Sequence, residues 1–182
     1  MRFDGSLVVY TIIAISLALF IRHFVAAPYI VQGASMEPTF HDYHYLIIDK
    51  VSYRLDDPAR GDVIVLDLPI DTTRALIKRV IGLPGETVSI NGTTVTITNT
   101  EHPTGMTIDE PYLSLESLGG PTGMTIALGE DQYFVLGDNR RVSSDSRSWG
   151  TLPREDIVGR VIVRLFPFTD IGLLPGATRY QE

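Results

Sequence analysis

The N-terminal part of the chain is strongly apolar. A run of 16 residues from Ser6 to Ile21 has no charged side chain, and after Arg22 and one histidine a second apolar run begins. A membrane-spanning helix needs about 20 mainly apolar residues, and a flanking arginine can extend its polar head to the membrane surface. The pattern predicts a transmembrane anchor over residues 6–27, behind a short tail of residues 1–5, with Pro28 ending the helix.

A cleaved signal peptide and a buried core helix are the alternatives to an anchor. A signal peptide has a basic N-terminal region and small residues before its cleavage site. Here Arg2 is offset by Asp4, and Pro28 directly follows Ala26 and Ala27, which makes that pair a poor cleavage site. The hydropathy therefore favours the anchor. The flanking charges do not decide its orientation.

Beyond Pro28 the pattern changes to short β-rich runs separated by turn residues. Runs bounded by Gly, Pro, Asn and Asp are typical of strands. They cover residues 45–53, 63–68, 75–81, 88–97, 133–136 and 157–166. Many short strands without a long amphipathic helix predict a mostly-β barrel or sandwich over residues 28–182.

The middle of this β region differs from the rest in charge. Between Val80 and Asn139 there are eight acids and no lysine or arginine, whereas the whole chain has a net charge of −7. Asn91-Gly92 indicates a hairpin. The hexapeptide PTGMTI at 103–108 recurs at 121–126, which we interpret as two similar turn-and-strand pieces. We interpret residues from about 88 to 131 as an inserted acidic β subdomain.

The composition excludes several kinds of site. The absence of cysteine excludes disulfide scaffolds, thiolate zinc sites and cysteine nucleophiles. The acidic balance argues against a nucleic-acid partner. The sequence has no phosphate-binding loop, no GxGxxG and no G-x-S-x-G elbow. His41 and His44 have i, i+3 spacing but no evident third ligand, so we expect no metal site and no cofactor.

Two residues are candidates for nucleophilic catalysis. Ser35 lies in the tight segment 33–39, which can display a hydroxyl, and Lys78 is one of only two lysines and lies in the predicted strand 75–81. Burial between aliphatic neighbours lowers the pKa of a lysine, and a neutral lysine can act as the general base for a serine. The alternatives are an ordinary turn serine and a lysine whose ammonium group reaches solvent.

A third cluster, residues 137–150, combines Asp, Asn, Arg and Ser with the only tryptophan. A polar surface loop is the alternative, but the density of charged and hydroxyl groups favours a loop with fixed internal bonds. Together the three clusters resemble the bacterial type I signal peptidase family, in its shorter Gram-positive-like form. The resemblance rests on segments in the same order behind one anchor: SMEPT at 35–39, RGDVIV at 60–65, KRVIGLPGE at 78–86, GDNR at 137–140, SSDSR at 143–147 and WG at 149–150.

The resemblance covers nearly the whole chain and is weakest from about residue 98 to 128. It implies a signal-peptidase-like β core and a serine–lysine dyad. Ser35 would attack the scissile carbonyl, Lys78 would accept its proton, and Ser143 would hydrogen-bond to Lys78 and orient it. The backbone N–H of Ser35, with support from Gly33 and Met36, would contribute to the oxyanion hole.

The resemblance also implies two structural ion pairs, Arg79 with Asp138 and Arg147 with Asp145. Many members of the family have a serine two residues before the nucleophile, where this chain has Gly33. The second oxyanion donor is therefore left open.

The implied function is that of a membrane-anchored serine endopeptidase. It would remove signal peptides from exported preproteins after small residues in an A-x-A-like pattern, through an acyl-enzyme. Its partners would be preproteins and the lipid bilayer, and it would be a single-pass protein of the bacterial cell membrane with the catalytic domain on the extracytoplasmic face. Apolar residues near the C-terminus (residues 165–174) would form a second membrane-facing patch or close the core.

Two other functions remain as alternatives. A self-cleaving repressor-type Ser–Lys protease would carry a helix-turn-helix domain where this chain has its apolar segment. A membrane-anchored binding module without catalysis would tolerate the loss of Ser35 or Lys78, yet both are present.

Overall fold

The computed structural model describes residues 5–180, so most of the predicted tail 1–5 lies outside the described residues. Helix α1 (Gly5–Phe24) contains a stretch of 19 residues with a mean hydropathy of 2.0, none of it buried, and only its C-terminal end contacts the rest of the described chain, where Lys50 bonds to the His23 carbonyl and Arg54 lies over the Phe24 ring. By length and composition this helix is able to cross a membrane. It ends three residues before the predicted bound at 27, because Ala26 and Ala27 already pair with another strand and Pro28 restricts the residue before it.

The rest of the described chain is mostly β, as predicted. The strands are β1 (Ala26–Ile30), β2 (Tyr45–Asp49), β3 (Val63–Leu68), β4 (Asp71–Gly82), β5 (Thr87–Asn91), β6 (Thr94–Thr98), β7 (Met106–Thr107), β8 (Met124–Ala127), β9 (Gln132–Leu136), β10 (Leu152–Pro153), β11 (Ile157–Phe166) and β12 (Gly172–Leu173). Within residues 5–180 the only other α-helix is the single turn α2 (Ser146–Trp149).

The predicted strand 45–53 is too long, whereas β3 and β11 have the predicted bounds. β2 ends at Asp49, whose carboxylate accepts hydrogen bonds from the N–H groups of Val51 (2.7 Å) and Ser52 (3.2 Å). A carboxylate that bonds to the backbone two and three residues later turns the chain away from the sheet. A 3₁₀ turn, Ser52–Arg54, follows.

The larger sheet has eight strands, all antiparallel to their neighbours. Its order is β1-β2-β11-β3-β4-β9-β10, and β12 pairs with β11. Successive residues of β3 enter different apolar clusters: Val63 and Val65 pack with Met36 and Phe40, whereas Ile64 and Leu66 pack on the other face. Because strand side chains alternate between faces, β3 is buried on both sides.

The smaller sheet has the order β7-β6-β5-β8 and extends from Thr87 to Ala127, within one residue of the start of the interpreted insertion. The predicted hairpin joins β5 to β6, and Gly92 supplies the positive φ (61°) that the turn requires. The two PTGMTI copies supply β7 and β8, which form the two opposite edges of this sheet. Its aliphatic face packs on Phe134 and Leu136 of the larger sheet.

Candidate active site

Ser35 lies in the connection between β1 and β2 and is half-buried. The connection is fixed on both sides of the serine. Before it, the N–H of Gly33 donates to Asp42 Oδ1 at 2.9 Å. After it, the fully buried side chains of Met36 and Phe40 enter the core, and the Phe40 N–H donates to the Met36 carbonyl at 2.9 Å. Ser35 is thus held at a defined place next to the larger sheet.

Lys78 lies in β4, opposite Ile64 of β3, and only 1% of its surface is exposed. Its Nζ donates to Ser35 Oγ at 2.9 Å and to the carbonyl of Ile77 at 2.8 Å. The fold thus brings together two residues that are 43 positions apart in the chain. A basic nitrogen at this distance from a hydroxyl has the geometry of a general base and its nucleophile.

Burial lowers the pKa of Lys78 to about 8, because the ammonium form loses its hydration. The carboxylates of Asp145 and Asp138 act in the opposite direction and raise this pKa. The net result places the neutral, proton-accepting amine within reach of physiological pH, where an unperturbed lysine is almost fully protonated.

Arg79 and Asp138 form a fully buried ion pair beside the dyad. Arg79 Nη2 and Nε donate to the two carboxylate oxygens of Asp138 at 2.6 and 2.9 Å. The Thr39 hydroxyl also donates to Asp138, at 2.5 Å, and the Asn139 N–H donates to the Ser35 carbonyl at 3.0 Å. The pair therefore connects the nucleophile segment, the strand of the base and the loop that follows β9.

The second ion pair, Asp145 with Arg147, holds the same loop from its other end. Arg147 Nε lies 2.8 Å from Asp145 Oδ1, and the Gly137 N–H donates to Asp145 Oδ2 at 3.1 Å. The Ser146 hydroxyl accepts a hydrogen bond from the N–H of Val135 in β9 at 3.0 Å. The loop is internally bonded and tied to the sheet.

The predicted hydrogen bond from Ser143 to Lys78 is not formed. Ser143 Oγ is buried and has no hydrogen-bond partner among residues 5–180. Its backbone N–H is fixed by the Asn139 carbonyl at 3.0 Å, and Lys78 Nζ is directed to the Ile77 carbonyl instead. Ser143 still lies at the site, because a Cβ on Gly137 would overlap both Ser143 Oγ and the Ser35 carbonyl oxygen.

The oxyanion donors are only partly defined by the geometry. The N–H of Gly33 is already bonded to Asp42, and the Met36 side chain packs in the core. The N–H of Ser35 donates no hydrogen bond within residues 5–180. The Met36 N–H likewise donates no hydrogen bond within these residues, so the N–H groups of Ser35 and Met36 are both free to meet a developing negative charge, whereas that of Gly33 is not.

Sequence reasoning missed two further buried ion pairs. Arg60 Nη2 lies 2.7 Å from Glu86, and Arg140 Nη2 lies 2.5 Å from Glu110. Both acids, like Asp138, belong to the acidic block, so three of its eight charges are neutralised inside the protein. Their partners lie 26 and 30 residues away in the chain, so no local spacing in the sequence indicates either pair.

The family model and the curated relatives that match this chain belong to one family. The family described as "Signal peptidase, peptidase S26" matches residues 5–166. A probable signal peptidase I-2 of Synechocystis is 41% identical over 169 residues, 88% of this chain and 72% of that protein. A signal peptidase I of Bacillus amyloliquefaciens is 39% identical over 171 residues, 88% of this chain and 84% of that protein. A solved signal peptidase I of Enterococcus faecalis has a TM-score of 0.48 at 31% identity, covering 58% of this chain and 97% of that one.

Proposed function

Because this chain belongs to the signal peptidase family, peptidase S26, we propose that Ser35 is its nucleophile and Lys78 its general base. The chain is a signal peptidase I, a serine peptidase that removes signal peptides from preproteins. The observation that carries the assignment of the two residues is the 2.9 Å contact between the Ser35 hydroxyl and the buried Lys78 amine.

The proposed reaction has two halves that share one proton carrier. Neutral Lys78 takes the proton of the Ser35 hydroxyl as Oγ attacks the scissile carbonyl carbon, and the Ser35 N–H donates to the resulting oxyanion. As the peptide C–N bond breaks, the Lys78 ammonium gives its proton to the leaving nitrogen, and the signal peptide remains as an ester on Ser35. Lys78 then accepts a proton from water, whose oxygen attacks the ester, and the same proton returns to Ser35 as the signal peptide leaves.

We place the substrate along β1, just before the nucleophile segment. β1 is an edge strand, and an extended peptide can pair with such an edge. A cavity of about 450 Å³ opens there, and Tyr29 spans it by donating from its hydroxyl to the Ala75 carbonyl at 3.1 Å. The remaining lining residues are Arg22, Pro28, Ile30, Gln32 and Tyr45.

We also propose that the catalytic domain, residues 28–182, lies at the extracytoplasmic surface of the bacterial cell membrane, on a single-pass anchor. The amine of Lys50 donates to the His23 carbonyl at 3.1 Å, which ties the end of α1 to the domain. Near the C-terminus, Phe168 and Leu173 are 78% and 81% exposed, so these side chains do not close the core. Exposed apolar side chains of this kind are expected where a domain touches lipid.

The dyad is tested by preprotein cleavage in detergent with purified variants of the full chain. We expect Ser35→Ala and Lys78→Ala each to lower kcat by at least about 10³-fold, because either change removes a group that takes part in every turnover. The matched controls are Ser89→Ala in the smaller sheet and Lys50→Ala, which removes the only other lysine. Both controls should cleave within about threefold of the unmodified chain.

The assignment is wrong if Ser35→Ala or Lys78→Ala cleaves at a rate close to that of its control. Loss of cleavage in a control, with the variant still folded, would also contradict it, because the loss would then not be specific to the dyad. Single-turnover trapping of a covalent ester, present with Lys50→Ala and absent with Ser35→Ala, identifies the nucleophile directly.

A further inference from the structure

The C-terminal residues 174–180, called the strap below, lie beyond the family match, which ends at Phe166. The strap begins where the N–H of Leu174 donates to the Ile162 carbonyl of β11 at 2.8 Å. It then leaves the edge of the larger sheet and runs behind the candidate active site. The strap contributes no residue to the dyad or to the ion pairs of the candidate active site.

The first contact of the strap joins it to the nucleophile segment and to the strand of the base. Gly176 has a φ of 74°, and a Cβ there would overlap the Thr39 side chain and lie 3.2 Å from the Phe40 ring. The carbonyl of Gly176 accepts a hydrogen bond from Nη1 of Arg79, the residue after Lys78. One residue of the strap therefore contacts both chain segments that carry the dyad.

The second contact fixes the strap against the turn before β3. A Cβ on Gly61 would overlap the carbonyl oxygen of Thr178, so the two backbones touch directly. Arg79 Nη1 also donates to the Gly61 carbonyl at 3.1 Å, and Thr178 Oγ1 lies within 3.4 Å of the same nitrogen. The guanidinium group of Arg79 is thus enclosed by the strap on the side away from Asp138.

The third contact links the strap to the segment between β7 and β8. The hydroxyl groups of Tyr180 and Tyr112 are 2.9 Å apart, and the Tyr112 ring lies over Arg79 with 3.8 Å between its centroid and the guanidinium carbon. The Tyr112 hydroxyl donates to Glu110, which pairs with Arg140. A cation over an aromatic face, shielded from water, is held more firmly than an exposed one.

We propose that Tyr112 and the strap are positioning residues for the dyad. They enclose Arg79 and Thr39, and through the Arg79–Asp138 pair they fix the distance between Ser35 and Lys78. This inference rests on the proposed function, since it assigns these residues to the rate of the Ser35–Lys78 reaction. They lie behind the site, not in the cleft along β1, so they act on the chemical step and not on substrate binding.

The test compares kcat and KM of four variants of the full chain in detergent, each assayed well below its unfolding temperature. Tyr112→Leu removes the ring over Arg79, and we expect kcat to fall about 10-fold with KM within twofold, because small misplacements of reacting groups are costly. Tyr112→Phe keeps the ring and should restore most of kcat. Tyr180→Ala loosens the strap and should give a kcat between these two.

The matched control is Ile90→Ala, which creates a cavity in the smaller sheet and lowers stability without touching Arg79. Its kcat should stay within about twofold of the unmodified chain. The proposal fails if Tyr112→Leu retains full kcat, if its loss appears in KM instead, or if Ile90→Ala loses as much kcat. Failure of the dyad assignment is distinguishable, since it would appear as cleavage by Ser35→Ala, whatever Tyr112→Leu does.

Discussion

The two sheets of this protein differ in the kind of side chain that they bury. The larger sheet encloses charged side chains almost completely, and these are Arg60, Asp62, Lys78, Arg79, Glu86, Asp138, Arg140 and Asp145. The face of the smaller sheet that packs on it is aliphatic, with Val88, Ile90, Val95 and Ile97 at its centre. The remaining five acids of the acidic block, Glu101, Asp109, Glu116, Glu130 and Asp131, are exposed.

The difference shows that the larger sheet, and not the smaller one, carries the free-energy cost of buried charges. Burying a charge is costly unless it is paired, so each buried charge in the larger sheet needs a partner at a fixed place. Lys78 is the exception: among residues 5–180 its only hydrogen bonds are to Ser35 and the Ile77 carbonyl, and burial lowers its pKa. A buried amine without a directly bonded carboxylate is the arrangement that a general base requires.

The first prediction removes one buried charge from the larger sheet. Asp138→Asn leaves the Arg79 guanidinium buried without a countercharge, and we expect a loss of about 3–5 kcal/mol in the free energy of unfolding. Cleavage should fall at least about 100-fold even where the variant is folded, because the Thr39 and Arg79 contacts that hold the site are altered. Thermal unfolding in detergent and preprotein cleavage measure the two effects.

The matched control for Asp138→Asn is Glu130→Gln, which neutralises an exposed acid of the same block. Its unfolding free energy should change by less than about 0.5 kcal/mol. Equal stability losses in the two variants would contradict the distinction between buried and exposed charges.

The second prediction perturbs the interior of the smaller sheet. Ile90→Ala removes a buried aliphatic side chain, and we expect a loss of about 2–5 kcal/mol in the free energy of unfolding. The smaller sheet supplies no member of the dyad, so cleavage below the unfolding temperature should change by less than about twofold. A cleavage loss comparable with that of Asp138→Asn would show that the smaller sheet takes part in the reaction.

The sequence predicts the smaller sheet better than the larger one. Alternation in 88–97 with Asn91-Gly92 at its middle is enough to predict the hairpin, and the PTGMTI repeat predicts two similar strands. In the larger sheet, Lys78 and Arg79 interrupt the apolar pattern of β4, and their partners come from residues 43 and 59 positions away. Local spacing carries no information on such contacts, so the residue types make Ser35 and Lys78 candidates for a nucleophile and its base, and the family resemblance implies that they form a dyad.

The remaining differences between sequence and structure have local causes. β2 ends early because the Asp49 carboxylate bonds to the backbone that follows it. The Ser143 hydroxyl does not reach Lys78, whose amine bonds to the Ile77 carbonyl instead. Glu110, Tyr112 and the strap were missed because their partners are distant in sequence and they lie where the resemblance is weakest or absent.

The most direct test of the account is the pH dependence of kcat/KM for preprotein cleavage. Lys78 must be neutral to accept the Ser35 proton, and burial lowers its pKa to about 8, so activity should rise with pH through a midpoint near 8. Below this pH the ammonium form predominates and the base is lost. A midpoint near 10.4, the value of an exposed lysine, would contradict the claim that a desolvated Lys78 activates Ser35.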